Sequence, residues 1–189
     1  MSLRLCSFDT VPDVFSPAEC DRILELGRAL ELKDAETHTD SGGRQVDIRG
    51  RNCLIEWIER GGEDWAWVFE RIDQAGLALN EKRWRFDLVP SHSIQYTAYG
   101  FGQFYGAHFD NGSKETQHRK LSISVQLTDP SSYVGGALRF WSMNAPQTAP
   151  KARGGMTVFP SYLMHVAKPV WWGRREVLVT WLDGKKTLR

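Results

Sequence analysis

The residues best suited to chemistry in this chain stand close together, in the stretch from Phe104 to Asp110. This stretch alternates like a β-strand and contains a His-x-Asp pair, His108 and Asp110. Residues i and i+2 of a strand point to the same face, so both side chains should project together, with Phe109 opposite. One imidazole nitrogen and one carboxylate oxygen supply two ligands of a 2-His-1-carboxylate metal site. A three-residue pattern also arises by chance, so the prediction needs a third ligand.

Four further histidines are candidates for that ligand. His38 and His118 lie in polar segments and are expected to be solvated. His92 stands between two serines, just before a predicted strand. His165 begins a predicted strand 57 positions after His108 (165 − 108), so it must come from a different strand. A jelly roll can close such a site from across its barrel, although a rim or core histidine at position 165 stays open.

A further candidate is an arginine in the last predicted strand. Alternation places Arg175 on one face with two valines and Trp181, and it places Arg174 and Glu176 on the other. An arginine among apolar neighbours must be paired, and no acid nearby in sequence shares its face. A bidentate contact with the carboxylate of a ligand would satisfy Arg175. A structural pair with a distant Asp or Glu is the alternative.

Two helices and two strands are predicted before residue 83, and the first strand is a short one within Leu3–Val14, with a turn around Pro12. The capping box Ser16-Pro17-Ala18-Glu19 begins a helix that should extend to about Leu32. Glu63–Asn80 carries apolar residues at helical spacing and predicts a second helix, after a strand at Asn52–Ile58. Residues 33–50 are polar and Gly-rich, which predicts a loop and a candidate lid.

After residue 83 the pattern changes to short strands separated by turn signals. The predicted strands span residues 84–88, 93–99, 103–109, 121–128, 136–141, 155–159, 165–170 and 175–181. About eight short strands at this spacing favour a sandwich or jelly roll. We therefore predict one mainly β domain over residues 1–189, with 1–83 as a helical support region. Residues 84–183 would form a double-stranded β-helix (jelly-roll) core that carries the metal site.

Composition excludes several classes of function. Lys and Arg total 24 against 23 Asp and Glu, for a net charge of +1, which makes a nucleic-acid partner unlikely. The 3 cysteines form neither a disulfide framework nor a zinc pattern, which favours reduced thiols and a cytoplasmic protein. No apolar run reaches the length of a membrane span. The 8 Trp and 9 Phe predict an aromatic core or cleft. The composition does not indicate an oligomeric state.

Several motifs in order resemble the Fe(II)/2-oxoglutarate-dependent dioxygenases, in their prolyl 4-hydroxylase-like branch. The similar stretches, all within about residues 93–183, are Gln95–Tyr99, Gln103–Asp110, Lys120–Pro130, Gly135–Phe140, Phe159–Ser161, His165 and Pro169–Trp181. The N-terminal helices are similar to that branch as well. The resemblance implies a jelly-roll fold, and it raises the metal role of the His-x-Asp pair far above chance.

The resemblance also implies roles for individual residues. His108, Asp110 and His165 match the iron ligands. Arg175 matches the basic residue that binds the distal carboxylate of 2-oxoglutarate, and Arg174 is its rival. Tyr99 matches a tyrosine that contacts this cosubstrate, although a half-buried structural tyrosine is the alternative. Inward residues of the strand at 121–128, and Leu138, would line the cosubstrate pocket.

The activity implied is hydroxylation of an unactivated C–H bond with O2, with decarboxylation of 2-oxoglutarate to succinate and CO2 and with ascorbate as a possible reductant. The implied substrate is an amino-acid side chain, prolyl-like or other, in a peptide or a free amino acid. Tyr105, Trp141 and Arg49 are candidate substrate-binding residues. For each of the two aromatic residues, a structural role is the more common explanation.

Three alternatives stay open. A cupin-like metal-binding module would keep the fold and use no 2-oxoglutarate, but Arg175 argues against it. A non-catalytic peptide-binding jelly roll with a vestigial site would have lost ligands, and all three are present. A nucleic-acid demethylase of the same superfamily conflicts with the near-neutral charge.

Overall fold

The computed structural model describes residues 7–38, 44–141 and 145–185, except the side chains of Thr37, His38 and Arg44. The helices are α1 (Pro17–Arg28) and α2 (Glu63–Arg83). The strands before residue 100 are β1 (Asp9–Val11), β2 (Lys33–Asp34), β3 (Glu36–His38), β4 (Arg44–Val46), β5 (Arg51–Asn52), β6 (Leu54–Glu59), β7 (Leu88–Val89) and β8 (Ser93–Tyr99). The later strands are β9 (Phe104–His108), β10 (Arg119–Gln126), β11 (Tyr133–Gly135), β12 (Leu138–Trp141), β13 (Pro146–Thr148), β14 (Met156–Pro160), β15 (His165–Ala167), β16 (Val170–Gly173) and β17 (Arg175–Gly184).

The strands form two main antiparallel sheets. The larger sheet has the order β1-β14-β10-β17-β8-β6-β2, and β7 pairs with β17. The smaller sheet has the order β13-β12-β15-β9-β5. Two further pairs, β11 with β16 and β3 with β4, complete the described pairing. Both main sheets contribute side chains to one cavity between them, and this cavity contains the candidate site.

Alternation along β10 shows how the larger sheet uses its two faces. Leu121, Ile123 and Val125 are buried in the main core with residues of α1 and α2. The intervening Ser122, Ser124 and Gln126 are buried too, but they are polar. The two helices therefore pack against the apolar face of the larger sheet.

A buried polar cluster joins α1 to the larger sheet. Gly27 lies against the ring of the fully buried Tyr96, whose hydroxyl donates to Glu176 Oε1 at 2.7 Å. Arg28 Nη2 donates to Glu176 Oε2 at 2.5 Å, and Arg174 Nε donates to Oε1 at 3.1 Å. Glu176 thus lies on the face opposite Arg175 and has its own cationic partners.

The predicted ends of the helices need correction. Helix α1 ends at Arg28, not at Leu32, and the leucines beyond it pack on the same core outside a helix. Helix α2 continues to Arg83, so the predicted strand at 84–88 is wrong except at its last residue. Arg85 adopts a positive φ of 59°, and the side chain of Asn80 bonds the main chain of Phe86. This turn occupies the segment at 84–88, where the alternation of residues predicted a strand.

Several predicted strands differ in their bounds. The predicted loop at 33–50 contains β2, β3 and β4, which are short and polar and therefore show no apolar alternation. Its glycines at 42 and 43 lie outside the described residues. The strand predicted at 52–58 is divided at Cys53, and the strand predicted at 165–170 is divided before Val170. Pro169 lies at the second division, where it has no N–H to donate to a ladder.

Candidate active site

Three side chains converge at one end of the cavity. His108 ends β9, His165 begins β15, and these two residues face each other as an antiparallel pair. Asp110 follows two residues after His108, with Phe109 between them 51% exposed. The Nε2 atoms of His108 and His165 lie 3.4 and 3.6 Å from the two oxygens of Asp110. One ligand atom from each residue falls within 4.8 Å of the others, so the group can hold a metal ion.

Main-chain carbonyls set the orientation of both imidazoles. His108 Nδ1 lies 2.8 Å from the carbonyl oxygen of Gly106, and His165 Nδ1 lies 2.9 Å from that of Leu163. A carbonyl oxygen only accepts, so each Nδ1 carries the proton and donates it. Both Nε2 lone pairs are therefore left for a cation beside the Asp110 carboxylate.

The local environment also sets the charges. Burial lowers the pKa of His165 to about 4, against the attraction of Asp110. Burial opposes ionisation of Asp110, but the two neighbouring histidines, and a hydrogen bond with Ser122, hold its pKa well below the usual value. At neutral pH the site therefore offers one carboxylate and a neutral His165, which is the protonation state that binds a divalent cation.

Arg175 lies in the same cavity, on the opposite sheet. It is only 3% exposed, and its Nε donates to Gln126 Oε1 at 3.1 Å. Within the described ranges no carboxylate pairs with it, so its charge is buried without an acid. The buried hydroxyl of Tyr133 lies beside the Arg175 guanidinium. This end of the cavity is therefore suited to an anion.

The cavity has a volume of about 660 Å³. Tyr99, Tyr105, Leu138 and Ser124 are among the residues that line it. The two tyrosines agree with the predicted aromatic cleft. Trp57 and Trp181 form an aromatic pair on the same wall, with ring centres 5.8 Å apart, and the Arg119 guanidinium lies 3.6 Å from the centre of the Trp181 ring. A ligand in this cavity would therefore meet both polar groups and aromatic rings.

The predicted site residues separate into two groups. The structure brings together the three candidate ligands, Arg175, Tyr99 and Tyr105. Arg49 is exposed in a turn, and Trp141 is 43% exposed; neither lies among the residues that line the cavity. The rival Arg174 is exposed and pairs with Glu176.

One buried cation was missed. Arg51 on β5 lines the cavity and is only 9% exposed. The signal that identified Arg175 is present here as well. Arg51, Cys53 and Ile55 stand at every second position, so a strand would place Arg51 on one face with two apolar residues.

Comparison with known proteins agrees with this geometry. The family model of the 2OG-Fe(II) oxygenase superfamily matches residues 94–183. A PKHD-type hydroxylase of Prochlorococcus marinus (strain MIT 9303) is 32% identical over 161 residues, which cover 82% of this chain and 71% of the relative. A PKHD-type hydroxylase of Rippkaea orientalis is 34% identical over 179 residues, which cover 92% of this chain and 77% of that relative.

Solved structures share the fold at low sequence identity. A prolyl-4-hydroxylase of Pseudomonas putida superposes with a TM-score of 0.75 at 20% identity, covering 98% of this chain and 100% of that one. A prolyl hydroxylase of Trichoplax adhaerens, in complex with a peptide fragment of hypoxia inducible factor, superposes with a TM-score of 0.75 at 18% identity. The superposition covers 96% of this chain and 86% of that one. The predicted jelly-roll core with N-terminal helices is confirmed.

These findings define the class first: the chain is an iron- and 2-oxoglutarate-dependent hydroxylase. Within that class it belongs to the 2OG-Fe(II) oxygenase superfamily, with PKHD-type hydroxylases among its relatives, and it shares the fold of the prolyl 4-hydroxylases. Fe(II), 2-oxoglutarate and O2 are the cofactor and cosubstrates of this family. Neither described helix combines the length and apolar composition needed to cross a membrane.

Proposed function

We propose that this enzyme hydroxylates an unactivated C–H bond of an amino-acid side chain and converts 2-oxoglutarate to succinate and CO2. The observation that carries the proposal is one cavity that contains both a His-Asp-His group and a buried arginine without an acidic partner. The first suits a divalent metal, and the second suits the free carboxylate of a dicarboxylic cosubstrate.

The three ligands in the proposal are His108, Asp110 and His165. The donor set fits Fe(II), because two imidazole nitrogens and one carboxylate on one side leave coordination positions open. Fe(II) held by these residues would supply the activation of O2 for oxidation of the C–H bond. The contribution of the chain is orientation: carbonyl groups hold both rings, and Asp110 N–H donates to the carbonyl oxygen of Ser161 at 2.9 Å.

The proposed cosubstrate anchor is Arg175. Gln126 holds its Nε, which fixes the guanidinium and leaves its terminal N–H groups for a carboxylate. Tyr99 lies beneath it, with the Arg175 Cζ atom 5.4 Å from the ring centre. Desolvation raises the pKa of Tyr99, which therefore stays a neutral hydrogen-bond donor. Because the site is buried, the contacts with a carboxylate act in a medium that water screens little.

The proposed substrate class is an amino-acid side chain, either in a peptide or in a free amino acid. The Trichoplax adhaerens structure with a peptide fragment, and the Pseudomonas putida prolyl-4-hydroxylase, support this class through their fold. The proposed contact from this chain is Tyr105, and the stacking of its ring on that of His108, with centres 3.5 Å apart, supports the assignment. Ascorbate is proposed as the reductant that keeps the iron ferrous.

The test is anaerobic titration of the purified protein with Fe(II) and 2-oxoglutarate. We expect a weak visible charge-transfer band, and after admission of air we expect succinate. Mass spectrometry of a panel of amino acids and peptides should then reveal a product heavier by one oxygen atom. A metal-loaded protein that binds no 2-oxoglutarate and forms no succinate would instead be a cupin-like binding module.

We also propose a cytoplasmic location. The support is chemical: Cys20 and Cys53 are buried free thiols, which suit a reducing compartment. Localisation of a tagged chain in its own cell tests this proposal.

A further inference from the structure

The cavity contains a second buried cation that the proposed mechanism does not use. Arg51 lies on β5, the edge strand of the smaller sheet, whereas Arg175 lies on the larger sheet. The two arginines therefore line one cavity from different sheets, and the metal-binding group lines the same cavity.

Neutral groups alone hold the Arg51 guanidinium. Its Nη2 donates to Gln95 Oε1 at 2.6 Å, its Nε to Cys53 Sγ at 3.4 Å, and its Nη1 to the carbonyl oxygen of Glu36 at 3.4 Å. These contacts use three of the five N–H groups that a guanidinium carries.

No acid in the described part of the chain neutralises this charge. The nearest acidic residue among its contacts, Glu36, offers only its main chain and keeps its side chain exposed. The strongest electrostatic neighbours of Arg51 are Cys53, Tyr105 and Tyr99, all neutral at pH 7. A buried cation without an acid is costly, and the cost is offset when an anion binds.

The position of Arg51 points to the substrate. Its Cζ atom lies 4.5 Å from the centre of the Tyr105 ring, and that ring stacks on His108. One aromatic ring thus separates the guanidinium from a candidate metal ligand. A substrate group bound by Arg51 would therefore lie near the proposed metal site.

On the basis of the proposed function, we propose that Arg51 binds a carboxylate of the substrate, so that the enzyme prefers carboxylate-bearing molecules over their neutral amides. The carboxylate is either the α-carboxylate of a free or C-terminal amino acid or the side chain of Asp or Glu. Arg51 is the specificity-determining residue in this scheme, and Arg175 remains with the cosubstrate.

The test uses the full chain loaded with Mn(II) and saturating 2-oxoglutarate, which occupies Arg175. Binding is followed by thermal shift and calorimetry with N-acetyl amino acids against their carboxamides. A second arm compares C-amidated peptides that contain Asp or Glu with their Asn or Gln counterparts. The two arms distinguish an α-carboxylate from a side-chain carboxylate. Succinate formation by the Fe(II) protein is measured in parallel.

We expect at least one acid to bind about tenfold more tightly than its amide, which corresponds to about 1.4 kcal/mol. Arg51→Gln should abolish that ratio, and Arg51→Lys should recover part of it. Arg139→Gln is the matched control, because Arg139 is exposed on the same sheet outside the cavity, and it should change nothing. The affinity for 2-oxoglutarate should survive in all three variants.

Two results would overturn the proposal. In the first, no acid binds better than its amide, or Arg51→Gln keeps the preference. In the second, Arg51→Gln weakens 2-oxoglutarate binding as strongly as loss of Arg175 does, which would assign Arg51 to the cosubstrate. Circular dichroism and the retained Mn(II) site show that Arg51→Gln folds. Failure of the proposed function gives a different result. In that case the protein binds no 2-oxoglutarate, whether or not it prefers acids over their amides.

Discussion

At the scale of single residues, alternation in a strand carries most of the information about this site. The spacing of His108 and Asp110 predicts a shared face, and both side chains reach the metal-binding group while Phe109 faces outward. The same period places Arg175 in the cavity and Glu176 against α1. Local sequence cannot show that Glu176 pairs with Arg28, which is 148 positions away, because that pair depends on packing between distant elements.

Arg175→Gln should weaken 2-oxoglutarate binding by at least about 30-fold, because losing one partner of a buried charge pair costs about 2–5 kcal/mol. Metal affinity should remain, since the triad is untouched. Calorimetry with the Mn(II) protein measures both quantities. Arg174→Gln is the neighbouring control, because Arg174 is exposed and pairs with Glu176. A larger effect of Arg174→Gln would reverse the assignment of the two arginines.

At the scale of elements, sequence patterns locate the helices and most strands of the core, but not where they end. Helix α1 begins at its capping box as predicted, because that signal is local. The polar strands β2, β3 and β4 were missed, because their pairing depends on partners rather than on apolar periodicity.

Gly27 fixes how closely α1 approaches the larger sheet. A methyl group at this position would overlap the Tyr96 ring, which is fully buried and cannot retreat. We expect Gly27→Ala to lower the free energy of unfolding by about 1–3 kcal/mol, as overpacking does. Urea denaturation measures the change.

Gly76→Ala in α2 is the matched control. Its added methyl would meet only the flexible ends of Ile123 and Leu182, at 2.9 and 3.2 Å. The helix propensity gained by replacing glycine, about 1 kcal/mol, should largely offset that contact. Equal losses in both variants would contradict the role given to the Tyr96 ring.

The Glu176 cluster should make stability depend on pH. Burial opposes ionisation, but Arg28 and Tyr96 hold the folded pKa of Glu176 below its usual 4.5. The carboxylate therefore stabilises the fold above about pH 4.5, and this contribution is lost as pH falls through the lower folded pKa. Glu176→Gln should cost about 1–3 kcal/mol at pH 7, as for a hydrogen-bonded charged group.

The difference in the free energy of unfolding between the wild type and Glu176→Gln should become smaller as the pH falls from 5 towards 3. Urea denaturation at several pH values measures it. A difference that stays constant over that range would show that Glu176 is not the titrating group.

At the scale of the whole molecule, the topology brings together residues that are far apart in sequence. The jelly roll was predicted from the spacing of short strands and from family resemblance, and the structural neighbours confirm it. Periodicity alone does not give the strand order, because pairing between distant strands leaves no local mark. The division into a support region at 1–83 and a core at 84–183 stays a prediction, and β1, β2 and β6 join the larger sheet from the first of these regions.

Metal binding should stabilise the whole fold. A ligand at 100 times its Kd adds about 2.7 kcal/mol. For a chain of this size that amount raises Tm by roughly 5–10 °C. Chelation followed by calorimetry with and without Mn(II) measures the shift. Asp110→Asn should show almost no shift with the metal, whereas Asp87→Asn, which alters an exposed pair with Lys185, should respond like the wild type.

The aromatic pair on the cavity wall provides an optical signal. Two of the 8 tryptophans, Trp57 and Trp181, lie side by side on the wall of the cavity. Indole emission changes when water beside the ring is displaced, so the protein carries its own fluorescent reporter of occupancy. Replacing each indole in turn by phenylalanine would assign the signal, and stopped-flow mixing would then time the arrival of cosubstrate and substrate without any attached dye.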